Sequence, residues 1–160
     1  MNIAISKQIG SFAVVAIVLA IAFILWSNNI FAGSPPTNLG VNNGKLATCP
    51  TTPNCVSSQA PSSDTQHAIA PLAMSGDVPT TMATLKTVIQ AMPRTNIVKE
   101  TTNYLYVEFA SKLMRFVDDV EFYLDDDPKM IQVRSASRLG ESDLGVNRQR
   151  IEEIRSKLAG

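Results

Sequence analysis

From Phe12 to Trp26 the chain reads FAVVAIVLAIAFILW, fifteen residues whose one polar side-chain atom is the indole nitrogen of Trp26. No other feature limits the fold so strongly. Adding Ile9, Gly10 and Ser11 gives eighteen residues, about 27 Å as a helix, against a hydrocarbon core of about 30 Å. Lys7 precedes the run and the next basic residue is Lys45. The positive-inside bias therefore sets the N-terminus in the cytoplasm and the remainder beyond the membrane, with Trp26 at the far interface. The other reading is a cleavable signal peptide processed after Ala32, where Ile30 is a bulky residue at the −3 position. No cysteine directly succeeds the run, which excludes a lipoprotein anchor. Residues 1–32 are thus a membrane anchor or a signal peptide. Both readings export the rest of the chain, into a periplasm or lumen on a single pass from a cell or thylakoid membrane, or free in that compartment if the segment is cut.

The exported part is close to neutral. Lys plus Arg and Asp plus Glu number 14 each. Setting aside Lys7, the one charge of the first 32 residues, leaves 13 against 14 and a net charge of −1. A surface of that balance lacks the electrostatic footprint of a nucleic-acid binder. The expected partners are the membrane and a protein, without nucleic acid, and no cofactor or metal is expected.

Residues 33–66 are rich in Pro, Gly, Ser, Thr and Asn and have almost no apolar periodicity, so they read as a linking segment. Both cysteines lie in it, Cys49 and Cys55, separated by PTTPN. In an exported chain the pair reads as a disulfide, worth about 2–3 kcal/mol for a loop this short. The alternatives are a metal site, which this spacing and a single histidine do not suit, and reactive thiols, which belong in a reducing compartment.

Residues 67–160 carry regular patterns. Asp77 is a helix cap with Pro79 in the first turn, and Met82, Leu85, Val88, Ile89 and Met92 make one apolar stripe before Pro93. Asn96–Glu100 and Tyr104–Phe109, joined at TTN, read as one hairpin. Arg115–Leu124 and Lys129–Ser135, joined at DDDP, read as a second. A closing helix capped at Asp143 completes the chain, with Leu144, Ile151, Ile154 and Leu158 on its apolar side. The expected fold class is α+β, a single small domain. One antiparallel sheet of about four strands has a helix before it and a helix after it, both on one face, and a transmembrane or signal helix precedes the whole.

The second hairpin contains FVDDVEFYL, residues 116–124, with three carboxylates in an otherwise strand-forming run. Alternation sends Phe116, Asp118, Val120, Phe122 and Leu124 to the core face and Val117, Asp119, Glu121 and Tyr123 to the other. An unpaired carboxylate at Asp118 would cost several kcal/mol, so it calls for a donor. Residues 134–150 supply Arg134, Arg138, Arg148 and Arg150. A structural network of Asp118, Asp119 and Glu121 with Arg134 and Arg138 is the expected arrangement, Arg134 opposing one acid across the ladder. Two functional readings stand beside it. The acids could hold a hard cation, although alternation splits them between faces. Arg138 and Arg148, with free N–H groups at the helix start by Asp143, could make an anion-binding corner. Paired-carboxylate glycosidase chemistry needs acids converging on one cleft, which adjacent strand residues do not do. His67 reads as a packed, hydrogen-bonded histidine, Asn147 as a buried bond to the sheet, and Gly140 and Gly145 as tight turns. No nucleophile motif is present.

Taken in order, PPTNLGVNNGKLATCPTTPNCVSSQ, HAIAPL, FVDDVEF and VRSASRLGESDLGVNRQRIEEIR resemble the bacterial and plastid family known as domain of unknown function 1499, over residues 35–158. The resemblance implies a small protein, frequently preceded by a signal or membrane segment, from proteobacteria, cyanobacteria or chloroplasts. Cys49, Cys55, Asp118, Asp119, Glu121, Arg134, Arg138, Asp143, Asn147 and Arg148 match its motifs, and the family assigns them no catalytic roles. The expected function is that of an anchored extracytoplasmic binding or accessory protein of the envelope or thylakoid. The alternative is a small-anion binder or hydrolase-type enzyme using the arginine-rich corner at 134–150.

Overall fold

Two hairpins in tandem build the centre of the molecule. In this computed structural model, which describes residues 14–24 and 30–160, they are β3 (Thr95–Glu100) with β4 (Tyr104–Ala110), and β5 (Val117–Asp125) with β6 (Met130–Ser137). Helix α2 (Val78–Gln90) precedes them and α3 (Val146–Ala159) comes after. Asp77 caps α2 by accepting the Thr80 N–H at 2.9 Å, with Pro79 in the first turn.

The sheet has six strands rather than four. The added pair are short: β1 (Cys55–Ser57) and β2 (Leu72–Ala73) both lie antiparallel along the outer edge of β6, giving the order β1-β6-β5-β4-β3. They escape a periodicity reading because three residues and two residues carry no period. The Ser58 hydroxyl continues the edge, accepting the Val133 N–H at 2.8 Å. Part of the segment that composition marks as a linker is therefore an integral edge of the sheet.

One face of the sheet is the apolar core. Leu105, Val107 and Phe109 of β4, Val120, Phe122 and Leu124 of β5, and Ile131 and Val133 of β6 pack against Met82, Leu85 and Ile89 of α2 and Ile151 and Ile154 of α3. Two details differ from expectation. Phe116 stands outside β5 and is partly exposed, its ring edge-on to Phe31 at 5.6 Å. Helix α3 begins at Val146 after a left-handed Gly145, so Leu144 projects outward, 89% exposed, instead of extending the apolar stripe.

Residues 14–24 form helix α1, whose apolar side chains are exposed, and Ile30–Ala32 make a 3-10 turn. No helix among the described residues is long and apolar enough to cross a membrane. The expected anchor or signal segment spans residues 1–32, of which 1–13 and 25–29 lie outside the described residues.

Candidate functional site

The second face of the sheet is covered as well. Leu39 and Leu46, from the segment preceding β1, pack on Tyr104, Tyr106 and Tyr123. Beneath this cover lies a layer of charge. β4 contributes Tyr104, Tyr106 and Glu108, β5 contributes Asp119 and Glu121, and β6 contributes Arg134 with Arg138 just beyond its end. Register places Tyr106, Glu121 and Arg134 in one row and Glu108, Asp119 and Ala136 in the next.

Each buried acid has its own donors. Glu121, with no exposed surface, accepts from the Tyr104 hydroxyl at 2.8 Å and the Gly40 N–H at 2.7 Å, and Arg134 Nη1 lies 3.5 Å away. Asp119 accepts from the Tyr106 hydroxyl at 2.6 Å and from Arg138, whose Nε lies 3.0 Å from both carboxylate oxygens and Nη2 2.7 Å from one. Arg138 also donates to the Tyr106 hydroxyl at 2.9 Å and to Glu108. Burial, then the neighbouring carboxylate, pushes the phenols of Tyr104 and Tyr106 well above their ordinary value, so they stay protonated as donors. Burial opposes the charge of Arg138, but Asp119 and Glu108 outweigh it and raise its pKa further. Burial likewise opposes the charge of Glu108, and the Arg138 and Asn96 hydrogen bonds more than offset it, lowering its pKa.

Asp118 lies on the core face, and its partner comes from α3. Arg150 Nη2 stands 2.5 Å from it, and the same guanidinium lies over the Phe109 ring at 4.8 Å. Asn147, fully buried, donates to the Asn54 carbonyl at 3.1 Å and accepts from Arg150 at 2.7 Å. The three acids of FVDDVEFYL thus have three separate arginines, Arg150, Arg138 and Arg134.

The expected anion corner is not assembled. Arg138 is committed to Asp119 and Glu108 on the far face of the sheet. Arg148 donates to the carbonyls of Ala68 at 2.8 Å and Gln66 at 3.1 Å. Asp143 occupies the start of α3 itself, accepting the N–H groups of Gly145 at 3.0 Å and Asn147 at 2.7 Å. Elsewhere, Cys49 and Cys55 have their sulfurs at 2.06 Å, bonding distance. The single histidine, His67, sets Nδ1 2.7 Å from Asp64, which raises the imidazole pKa. No group of three or more metal-ligating side chains occurs among the described residues.

An open cleft of about 490 Å³ lies where the ionic layer reaches the sheet's end, and it is lined by Arg94, Lys112, Arg115 and Arg138 with Glu108 as its one carboxylate. Arg94 comes from the left-handed turn between α2 and β3 and is held by its Nε bond to the Ala110 carbonyl at 3.0 Å. Lys112 and Arg115 come from the β4–β5 turn. Ser111 closes that turn, donating its N–H to the Phe116 carbonyl at 2.8 Å and accepting the Phe116 N–H on its hydroxyl at 3.0 Å. Arg138 offsets Asp119, and Glu108 leaves one negative charge against the three positive charges of Arg94, Lys112 and Arg115, so the cleft keeps a positive excess. Among the described residues these three form no ion pair. A concave site of such charge suits an anionic group held by several N–H donors.

A family model described as "Protein of unknown function (DUF1499)" matches residues 45–158. The chain belongs to the DUF1499 family. No curated protein matches it. The DUF1499 region contains both cysteines, the whole sheet and every cation of the cleft. Gly40 and Leu39, which close over Glu121 and the tyrosines, precede it. Sequence patterns do not single out Arg94, Lys112 and Arg115. A signal for two of them exists in SKLMRF, residues 111–116, where cations alternate with apolar residues at a hairpin turn.

Proposed function

We propose that this DUF1499 protein is an extracytoplasmic binding domain, tethered by its N-terminal apolar segment, whose cleft receives an anionic group. The observation that carries the reading is the excess of Arg94, Lys112 and Arg115 over the single carboxylate of Glu108 around an open cleft. Export is supported by the apolar run with its flanking Lys7 and by two cysteines at bonding distance, an arrangement that persists in oxidising compartments. A binding role fits better than catalysis. Both cysteines are paired, His67 is engaged by Asp64 and the Thr52 carbonyl, and in the cleft the Thr95 hydroxyl is bonded to the Ile89 and Met92 carbonyls and Glu108 to Arg138.

The full chain in neutral detergent, titrated with glycerol phosphate and monitored by thermal unfolding, tests the reading. Binding to the folded state raises the melting temperature by mass action. The doubly substituted Lys112→Gln/Arg115→Gln protein is expected to lose that rise while melting normally without ligand, because both side chains are exposed. An unchanged melting temperature in the wild type, or an equal rise in the variant, would overturn the assignment.

A further inference from the structure

Residues 31–33, which come after the apolar segment, enter the domain beside the cleft. Phe31, in the 3-10 turn that succeeds the apolar run, contacts Phe116 at 5.6 Å, and Ala32 lines the cleft beside the cations. Gly33 packs against Arg138 and Leu139, and a Cβ placed there would stand 3.1 Å from each. Phe31 lies five residues beyond Trp26, and even fully extended that stretch spans at most about 18 Å. If Trp26 marks the outer interface, the β4–β5 turn cannot stand far from the bilayer.

The side chains at this end suit that position. Leu113 is 81% exposed at the tip of the turn, and Met114, Phe116 and Leu139 beside it are between 40% and 45% exposed. Interleaved with them are Lys112 and Arg115, whose stems can lie along apolar surface while their heads stay in the polar zone. Apolar residues that enter the acyl boundary, ringed by cations that meet phosphate, are the composition of a surface that lies on anionic lipid.

We infer that the β4–β5 turn docks on the bilayer, with Leu113, Met114 and Phe116 entering the interface and the cleft of Arg94, Lys112 and Arg115 holding the phosphate of an anionic phospholipid headgroup. The choice of occupant rests on charge complementarity and on continuity with the chain's own apolar segment. The inference depends on the tethered reading above and names the ligand class of the same cleft.

The test uses the full chain in vesicles containing lipids brominated along the acyl chain, which quench an indole only at the membrane. Trp26 is the one tryptophan of the chain, so the wild type reports the tether. A Leu113→Trp substitution in a Trp26→Phe background reports the turn. Expected are quenching of Trp26 in the wild type and quenching of the new indole by brominated phosphatidylglycerol. Lys112→Gln/Arg115→Gln added to the reporter should reduce that signal to the level seen with brominated phosphatidylcholine. A quenched Trp26 with an unquenched turn indole would leave the tether standing and overturn docking, assigning the exposed turn to a protein partner instead. Equal quenching in both lipids, unaffected by the charge substitutions, would overturn the headgroup site. Absence of quenching at both positions would overturn the tether and the docking with it.

Discussion

Arg138 decides whether the far face of the sheet can be ionic at all. Its side chain is 4% exposed, it pairs with both oxygens of the nearly inaccessible Asp119, and it reaches Glu108 and the Tyr106 hydroxyl with the same fork. Removing one member of such a pair leaves a buried charge uncompensated, at a cost of about 3–5 kcal/mol. Arg138→Met is therefore expected to lower stability by that amount in urea denaturation, far more than a surface arginine would. Asp119→Asn added to it should cost less than the sum of the two single changes, because the partners act as a unit. Additive losses would show that Asp119 is satisfied without Arg138. That Arg134 opposes an acid of β5 is legible in the sequence from the hairpin. That the acid is Glu121 is not, because the strands pair on to Asp125 and Met130 and so shift the register by two residues from a DDDP loop. Nor is Arg150 as the partner of Asp118, because the choice among the arginines of 134–150 depends on how α3 lies across Phe109.

The elements divide in the same way. Both hairpins and both helices are legible because each repeats its period over several residues, and Asp77 and Pro79 mark the start of α2 unambiguously. The segment 33–66 is not, because its order comes from long-range bonds rather than from a period. Asn54 donates to the Gly140 carbonyl at 2.6 Å and offers its own carbonyl to Asn147 and to the Ser137 N–H. Cys55, the next residue, begins β1 and closes the bond to Cys49. The pair thus clamps the strand that joins β6 to α3. Chain entropy alone gives a loop of this size about 2–3 kcal/mol. Cys49→Ser/Cys55→Ser is expected to lose that much in chemical denaturation, with local loosening showing as faster amide exchange at Ser137, whose N–H donates to the Asn54 carbonyl. Unchanged exchange there would mean that the Asn54 bonds hold β1 without the clamp.

At the scale of the whole molecule the sheet separates two kinds of interior, an apolar layer under the helices and an ionic layer under Leu39, Gly40 and Leu46. The near-zero net charge hides this division, because Arg134 and Arg138 offset two of the second layer's three acids inside it. The chain enters the domain at the edge of the ionic layer, through Gly33, whose φ of +67° and close approach to Arg138 and Leu139 disfavour a side chain. A substitution there carries two costs. The left-handed backbone costs an L-residue about 1–2 kcal/mol, and the added methyl presses on Arg138 Cβ, the base of the side chain that holds Asp119. Gly44 separates these costs, since its φ is +74° and nothing lies within 4 Å of where its Cβ would be. Gly44→Ala is expected to lose only the backbone contribution. Gly33→Ala should lose more than Gly44→Ala, and the excess should shrink in an Asp119→Asn/Arg138→Met background, where no buried pair remains to be disturbed. Equal losses at Gly33 and Gly44 would instead mean that the entry of the chain is mechanically independent of the ionic layer, and that residues 30–33 pass the cleft without bracing it.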